Sequence, residues 1–442
     1  MVYFSMVIFM CLFYISQSFI SHPMMTSVYV LVCVLVYLMA YMKLTLKAKI
    51  FTGALFVLGI IIHYIYGNSG LMLLNGITQN LALLSIILLA PLISIPLKQE
   101  GIIKRLVEDL EHMKNDLKRS FYGVTFFVFL LSPILNMGSL RIVHSFISDL
   151  NIHPKILSNA YYNGFTPAVL WSPFFASVGI VLVTADLSFQ AYLPIGLFFA
   201  IIQVIISLLL LRKLKVKKLQ VMEHDNSKKY LKYMSFMIYV LLILFALVIL
   251  ESLTGWSMLL LVSILCIAIP AVYQLFRFDR HSLKSEATAY MHQVKNHSSM
   301  EVALFLSAGL FGNALLHTPI VDGLRHVILW SSEQSILWLF LFVILFVTLL
   351  AMFGIHQIVS VPIVLTIILT SEVEVSVYAA AFMCIFTWML SASISPLNAL
   401  NIIISSCVRT NGIKVAYQWN GKYFIAITVV AMFYVYMLDF IS

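Results

Sequence analysis

The sequence predicts an all-α polytopic membrane protein made of two inverted repeats with re-entrant hairpins and discontinuous helices, about eleven transmembrane spans in all. Three observations lead there. Of 442 residues, 62% are hydrophobic and only 10% are charged, and the mean hydropathy is +1.01. A water-soluble chain of this length needs more charge to cover its surface, so the bilayer is the main solvent. Apolar runs long enough to cross hydrocarbon, about 20 residues each, recur along the whole chain. The order of elements in the first half returns in the second.

The net charge of +9 does not point to nucleic acid. Lysines and arginines sit in short clusters between apolar runs, as the positive-inside rule expects of cytoplasmic loops. Cys11, Cys33, Cys266, Cys384 and Cys407 lie singly in apolar stretches. With no CxxC pair, neither disulfides nor a metal site is expected. The opening MVYFSMVIFMCLFYISQSFI lacks a basic n-region and reads as a retained first span, with a signal peptide as the lesser alternative.

Lys43, Lys47 and Lys49 place the end of the second span in the cytoplasm. The charged run from Gly101 to Arg119, the RKLKVKK segment at 212–218 with Lys228, Lys229 and Lys232, and the Arg277, Arg280 and Lys284 cluster belong on the same side. Spans are then predicted near 3–20, 27–42, 50–66 and 76–97, with the N-terminus inside. Residues 100–118 are too charged to cross. Ile102, Ile103, Leu106, Leu110, Met113 and Leu117 share one face of a helix lying along the membrane surface. A single span over 120–148 would put Arg141, His144, His153 and Lys155 outside, so this stretch is a re-entrant hairpin turning near Asn136. A long span over 156–185 is broken at Trp171-Ser172-Pro173, and 190–211 returns to the basic linker.

The second half repeats this in the opposite sense. Spans at 233–252, 256–275 and 299–316 precede an amphipathic stretch from Pro319 to Trp330, a hairpin at 335–371 and a span at 376–407 broken across Ser391–Asn398. Arg409 and Lys414 follow inside, and a last span at 421–440 leaves the C-terminus outside. The chain thus divides into an extra N-terminal span (1–26), a first repeat (27–211), a cytoplasmic linker (212–232) and a second repeat (233–442). Inverted repeats around discontinuous helices are the layout of many secondary transporters, with the site at the breaks.

Unpaired backbone groups in hydrocarbon cost several kcal/mol, so irregular backbone at membrane depth survives only inside protein or beside water. Pro173 and Pro396 each remove a helical hydrogen bond, and Ser172, Ser391, Ser393 and Ser395 offer local replacements. Half-helix N-termini can hold an anion, and unwound carbonyls a cation. The candidate substrate-binding set is Asn136, Gly138 and Ser139 at the first tip, Ser172 and Pro173 at the first break, Gly354, His356 and Gln357 at the second tip, and Ser391, Ser393, Ser395, Pro396, Asn398 and Asn401 at the second break. His356 reads equally as a proton carrier, with an ordinary pKa of about 6.5, or as a hydrogen-bonding turn residue. His63, Asp186, Glu251 and Asp439 are expected at the interface, and Asp322, Arg325 and His326 on a solvated face.

The order of spans, lateral helix, hairpin, Ser-Pro-broken helix and closing span, with its inverted copy, resembles the ion transporter superfamily, which includes citrate, dicarboxylate and tripartite-type carriers. FGIHQIVSVPIVL at 353–365 and WMLSASISPLNALN at 388–401 are the nearest stretches. The resemblance implies an elevator mechanism and a dimerising scaffold. Sodium-coupled dicarboxylate members carry Ser-Asn-Thr at both tips, where this chain has Asn136-Met137-Gly138-Ser139 and Gly354-Ile355-His356-Gln357. The expectation is a non-enzymatic, Na+- or H+-coupled transporter of a small organic anion. It would have no cofactor or nucleic-acid partner and would be homodimeric in a bacterial cell membrane. The alternatives are a flippase for a lipid-linked precursor and a membrane glycosyltransferase or polymerase. The latter is disfavoured because no large extracytoplasmic loop or dense acidic motif is present, and no HExxH or comparable intramembrane protease pattern appears either.

Overall fold

The computed structural model describes residues 1–20, 23–108, 117–148, 152–212, 229–277, 280–316 and 318–441. Residues 213–228 of the basic linker, and Leu110 and Met113 of the lateral stretch, lie outside the described residues. The first half runs α1 (Val2–Gln17), α2 (Pro23–Met42), α3 (Leu46–Ile65), a 3-10 turn (Gly70–Leu74), α4 (Leu81–Ile93), α5 (Ile95–Gln99), α6 (Ile102–Glu108), α7 (Leu117–Leu135), α8 (Gly138–Ile147), α9 (Pro154–Val169), α10 (Ala176–Thr184) and α11 (Phe189–Arg212). The second runs α12 (Lys229–Thr254), α13 (Met258–Arg277), α14 (Arg280–His297), α15 (Ser299–Leu315), α16 (Pro319–Gln334), α17 (Ile336–Met352), α18 (Gln357–Thr370), α19 (Val377–Ile394), α20 (Ala399–Cys407), a π turn (Lys414–Trp419) and α21 (Gly421–Ile441).

Seven of these helices, and α4 continued by α5, are long and apolar enough to cross a membrane whole. Adding α1, α15 and the α9–α10 pair gives about eleven spans. Pairs α7–α8 and α17–α18 are the two hairpins, and α9–α10 and α19–α20 the two broken spans. The helices are interrupted at 136–137, 170–175, 353–356 and 395–398.

The halves interlock by exchange. α3 packs along α15, and α4 packs along α13. Since α13 and α15 hold the positions in the second half that α3 and α4 hold in the first, this is the pairing an inversion axis generates. We call this group, with α2 and α12, the framework. Helices in lipid gain nothing from merely hiding apolar surface from one another, so close approach of small residues has to supply the contact. Gly309 of α15 illustrates this: a Cβ there would lie 2.5 Å from the Gly76 carbonyl oxygen.

α19 is the central post. Every residue from Ala379 to Ser393 is buried, and α17, α18, α9, α10 and α21 pack around it. Its run Ala379-Ala380-Ala381 lets neighbours come close, and Phe382 and Phe386 meet Phe199 edge-on at 4.9 and 5.7 Å between ring centres. By contrast α12 and α21 expose Leu241, Leu242, Phe245, Ile425, Phe433 and Phe440. Such continuous apolar surface belongs against lipid.

Three of the expected span-end residues have defined partners. His63, in the last turn of α3, is 2% exposed, with Nε2 on the Asn75 carbonyl at 3.0 Å and Nδ1 on Asn68 at 3.1 Å. Glu251 and Asp439 are working caps as well as span-end residues. The Glu251 carboxylate accepts from the Phe189 and Gln190 amides at 2.8 and 3.1 Å, closing the start of α11. Asp439 accepts from the Ser376 amide at 2.8 Å, at the start of α19. An acid at a helix N-terminus satisfies orphan N–H groups and meets the positive dipole end.

Candidate functional site

Each hairpin is clasped to the break in its own half by the same bond. In the first half, the Ser172 hydroxyl donates to the Pro133 carbonyl at 2.7 Å and accepts from the Phe174 amide at 3.3 Å. In the second, the Ser395 hydroxyl donates to the Ala351 carbonyl at 2.8 Å and accepts from the Leu397 amide at 3.3 Å. Both acceptor carbonyls lie in the last turn of the hairpin's first arm. Pro173 and Pro396 interrupt the helix, and the serine before each proline joins the loosened backbone to the neighbouring hairpin.

Both tips turn through left-handed backbone, Asn136 at φ 49° and Gly354 at φ 90°. Gly354 needs that freedom, and asparagine is the side-chain-bearing residue that tolerates it best. Asn136 Nδ2 donates to the Phe174 carbonyl at 3.4 Å, and Ser139 donates to the Asn136 carbonyl at 2.7 Å while sharing a 2.8 Å bond with Ser132. Gly138 merely opens α8. Its φ is not positive, and its nearest prospective neighbour is 4.0 Å away.

The second half is more tightly cross-linked. Gln357, fully buried, donates through Nε2 to Ser391 Oγ at 3.0 Å and accepts through Oε1 from Asn398 Nδ2 at 3.1 Å. Asn398 Oδ1 caps α20 by accepting from the Leu400 amide at 3.1 Å. Ser393 turns its hydroxyl back to Met389 O at 2.7 Å, and its carbonyl accepts from Asn401 Nδ2 at 3.3 Å and from Tyr162 OH at 3.1 Å. The Asn401 Oδ1 is buried without a hydrogen-bond partner. Tyr162, from α9, ties the two halves here, as Thr166 of the same helix does through Tyr423 OH at 3.0 Å.

His356 caps α18. Its Nδ1 accepts from the Ile358 amide at 3.2 Å, and a backbone N–H can only donate, so the ring is the tautomer with hydrogen on Nε2. Protonating Nδ1 would destroy the cap. Of the two readings of this histidine, the geometry favours the turn residue. His356→Asn, which retains a capping acceptor, is expected to leave melting in detergent unchanged, whereas His356→Ala lowers stability by about 1 kcal/mol. Equal losses in both variants would contradict the capping role.

The first break is closed in around its proline. Ser172, Pro173 and Pro133 meet Val240, Ile243 and Leu244 of α12, with no space of water size between them. No hydrogen bond joins the two tips directly among the described residues. Besides Tyr162, the sequence reading missed Asn163 and Thr387, both buried, with Asn163 Oδ1 and Thr387 Oγ1 lacking partners. The signal for the first two was the polar run Tyr161-Tyr162-Asn163-Gly164-Phe165-Thr166-Pro167 inside a span.

No family model matches the chain, and no curated protein matches it. Among solved structures it is similar to the YdaH transporter of Alcanivorax borkumensis, a crystal structure described as revealing an unusual topology. The TM-score is 0.55 at 14% identity, over 89% of this chain and 98% of that one. Likeness at this identity is a likeness of fold, here the fold of a membrane transporter. It does not place the chain among the citrate and dicarboxylate carriers.

Proposed function

We propose that this chain is a secondary active transporter that moves a small solute, an organic anion, across the cell membrane by an elevator movement coupled to Na+ or H+. The matched serine-to-carbonyl clasps carry this reading. They join each hairpin to the broken helix of its own repeat, taking the repeats as 27–211 and 233–442, and Tyr162 joins the two units. A body linked in this way can move as one piece against the framework. The starts of α10, α18 and α20 lie at its breaks and tips, where dipole ends and backbone N–H groups suit an anion.

The basic loops support one cytoplasmic face. Arg277 pairs with Glu100 at 2.7 Å, and Lys43 donates to the Lys295 carbonyl at 3.3 Å, so the loops after α2, α5 and α13 and the last turn of α14 gather at one end of the framework. With that end inside, α10 and α18 are the external pieces of the moving unit, and they pack on α4, α13 and α15. The cytoplasmic pieces, α8 and α20, pack on each other and on α6, α7, α9 and α19. This is the arrangement of an inward-facing state.

The test is uptake into proteoliposomes of a panel of mono- and dicarboxylates under imposed Na+ or proton gradients. Wild-type protein is expected to accumulate at least one anion under one gradient. Ser395→Ala and Asn398→Ala are each expected to slow it tenfold or more. Wild-type rates in both variants would remove the second break from the site.

A further inference from the structure

A cavity of about 260 Å³ lies between the framework and the outer arm of the second hairpin, with Ile358 and Val359, just past the second tip, in its wall. It is framed by Asn80 at the start of α4, Gly312 beside α15's last turn, Thr184 at the end of α10, and Ile358, Pro362 and Thr366 of α18. None of the side chains lining it is charged. Asn80, 4% exposed, is fixed in place by its Nδ2 bond to the Phe305 carbonyl at 3.3 Å. The Thr184 and Thr366 hydroxyls have no protein partner among the described residues. The wall is therefore apolar with a few uncommitted hydrogen-bonding groups, and its size lies just below the usual range of small-molecule sites, about 300–1,000 Å³.

We propose that this cavity is a second binding site, one that takes an uncharged small molecule with an apolar body and one or two hydrogen-bonding groups. An ion entering it would give up hydration and find no countercharge, a penalty of several kcal/mol. A neutral molecule loses only polar contacts that Asn80, Thr184 and Thr366 can replace. Because the walls belong to the framework on one side and to the hairpin on the other, a seated molecule holds the two in their present packing. None of the residues at the two breaks lines it.

Gly312 makes the test possible, because a Cβ built there meets no atom within 4 Å. The full chain carrying Gly312→Cys, in nanodiscs, is reacted with a maleimide against the wild-type background. Cys11, Cys33, Cys266 and Cys384 are buried and Cys407 is half-buried. Three probes share one body and differ in charge: N-acetylleucinamide, N-acetylleucinate and leucinamide. The neutral probe is expected to slow labelling at least threefold at saturation, the two charged probes not at all. Thr366→Val is expected to weaken that protection, and Ser395→Ala to leave it intact. Gly312→Leu, which fills the cavity, is expected to melt like wild type yet lose the probe's saturation-transfer NMR signal. A thiol that does not react, absence of protection by all three probes, or protection by a charged probe equal to the neutral one overturns the proposal.

Discussion

Gln357→Leu is expected to slow transport strongly and to lower the melting temperature in detergent, the largest effect of any single change at the second tip. Leucine fits the buried, largely apolar position but removes both ends of a bridge. Asn398 Nδ2 loses its acceptor, and Ser391 keeps only its bond to the Trp388 carbonyl at 3.1 Å. Leaving a half-buried donor unsatisfied costs about 1–3 kcal/mol. Since about 1.4 kcal/mol is a factor of ten, a solute site organised by this bridge loses roughly five- to 150-fold in rate or affinity. Gln357→Glu keeps the shape and an acceptor for Asn398 while putting a charge beside Ser391, so it separates lost geometry from lost packing. Proteoliposome uptake and a thermal melt read the two effects. Wild-type transport by the leucine variant would show that the bridge does not organise the site.

Gly164→Leu acts on the fold itself. A Cβ at Gly164 would sit 2.6 Å from the Thr125 carbonyl oxygen and 2.7 Å from Val128 Cβ. The first obstacle is backbone and cannot rotate aside, so α7 and α9 must separate along the face that joins the first hairpin to its broken helix. Overpacking of a close helix contact costs about 1–3 kcal/mol and more when backbone must move. The expected result is little or no monodisperse protein from detergent extracts. Gly138→Ala, at an open position, is expected to elute and melt like wild type. Normal yield from Gly164→Leu would mean that α7 and α9 are less tightly apposed than described.

The order of elements was legible because the membrane forces it. Apolar runs of spanning length, interrupted by Ser-Pro and bounded by lysine clusters, leave few arrangements, and both hairpins and both breaks sit where Ser172-Pro173, Ser395-Pro396, Asn136 and Gly354 put them. α14 was not legible as a helix. Its sequence RHSLKSEATAYMHQVKNH is mostly polar, and it leans at 56° to α15, so neither spanning hydropathy nor a clean apolar stripe announces it. The pairings inside the site were beyond reach for a different reason. Tyr162 meets Ser393 across 231 residues, and only the folded chain brings them together. Likewise the capping roles of Glu251 and Asp439 depend on which helix start lies opposite. His356 was read as turn residue or proton carrier, and it took the position of the Ile358 amide to favour one of them.

The central claim, that two clasped hairpin–break units move as one body against the framework, is tested most directly by pulsed electron–electron distances. Spin labels at Ser145→Cys on α8 and Gln293→Cys on α14, both exposed positions, report the moving unit against the proposed cytoplasmic end of the framework. The account predicts two distance populations separated by about 5 Å or more, whose ratio shifts when Na+ or pH is changed in nanodiscs. A single narrow distance that holds under every ion and pH condition would contradict it.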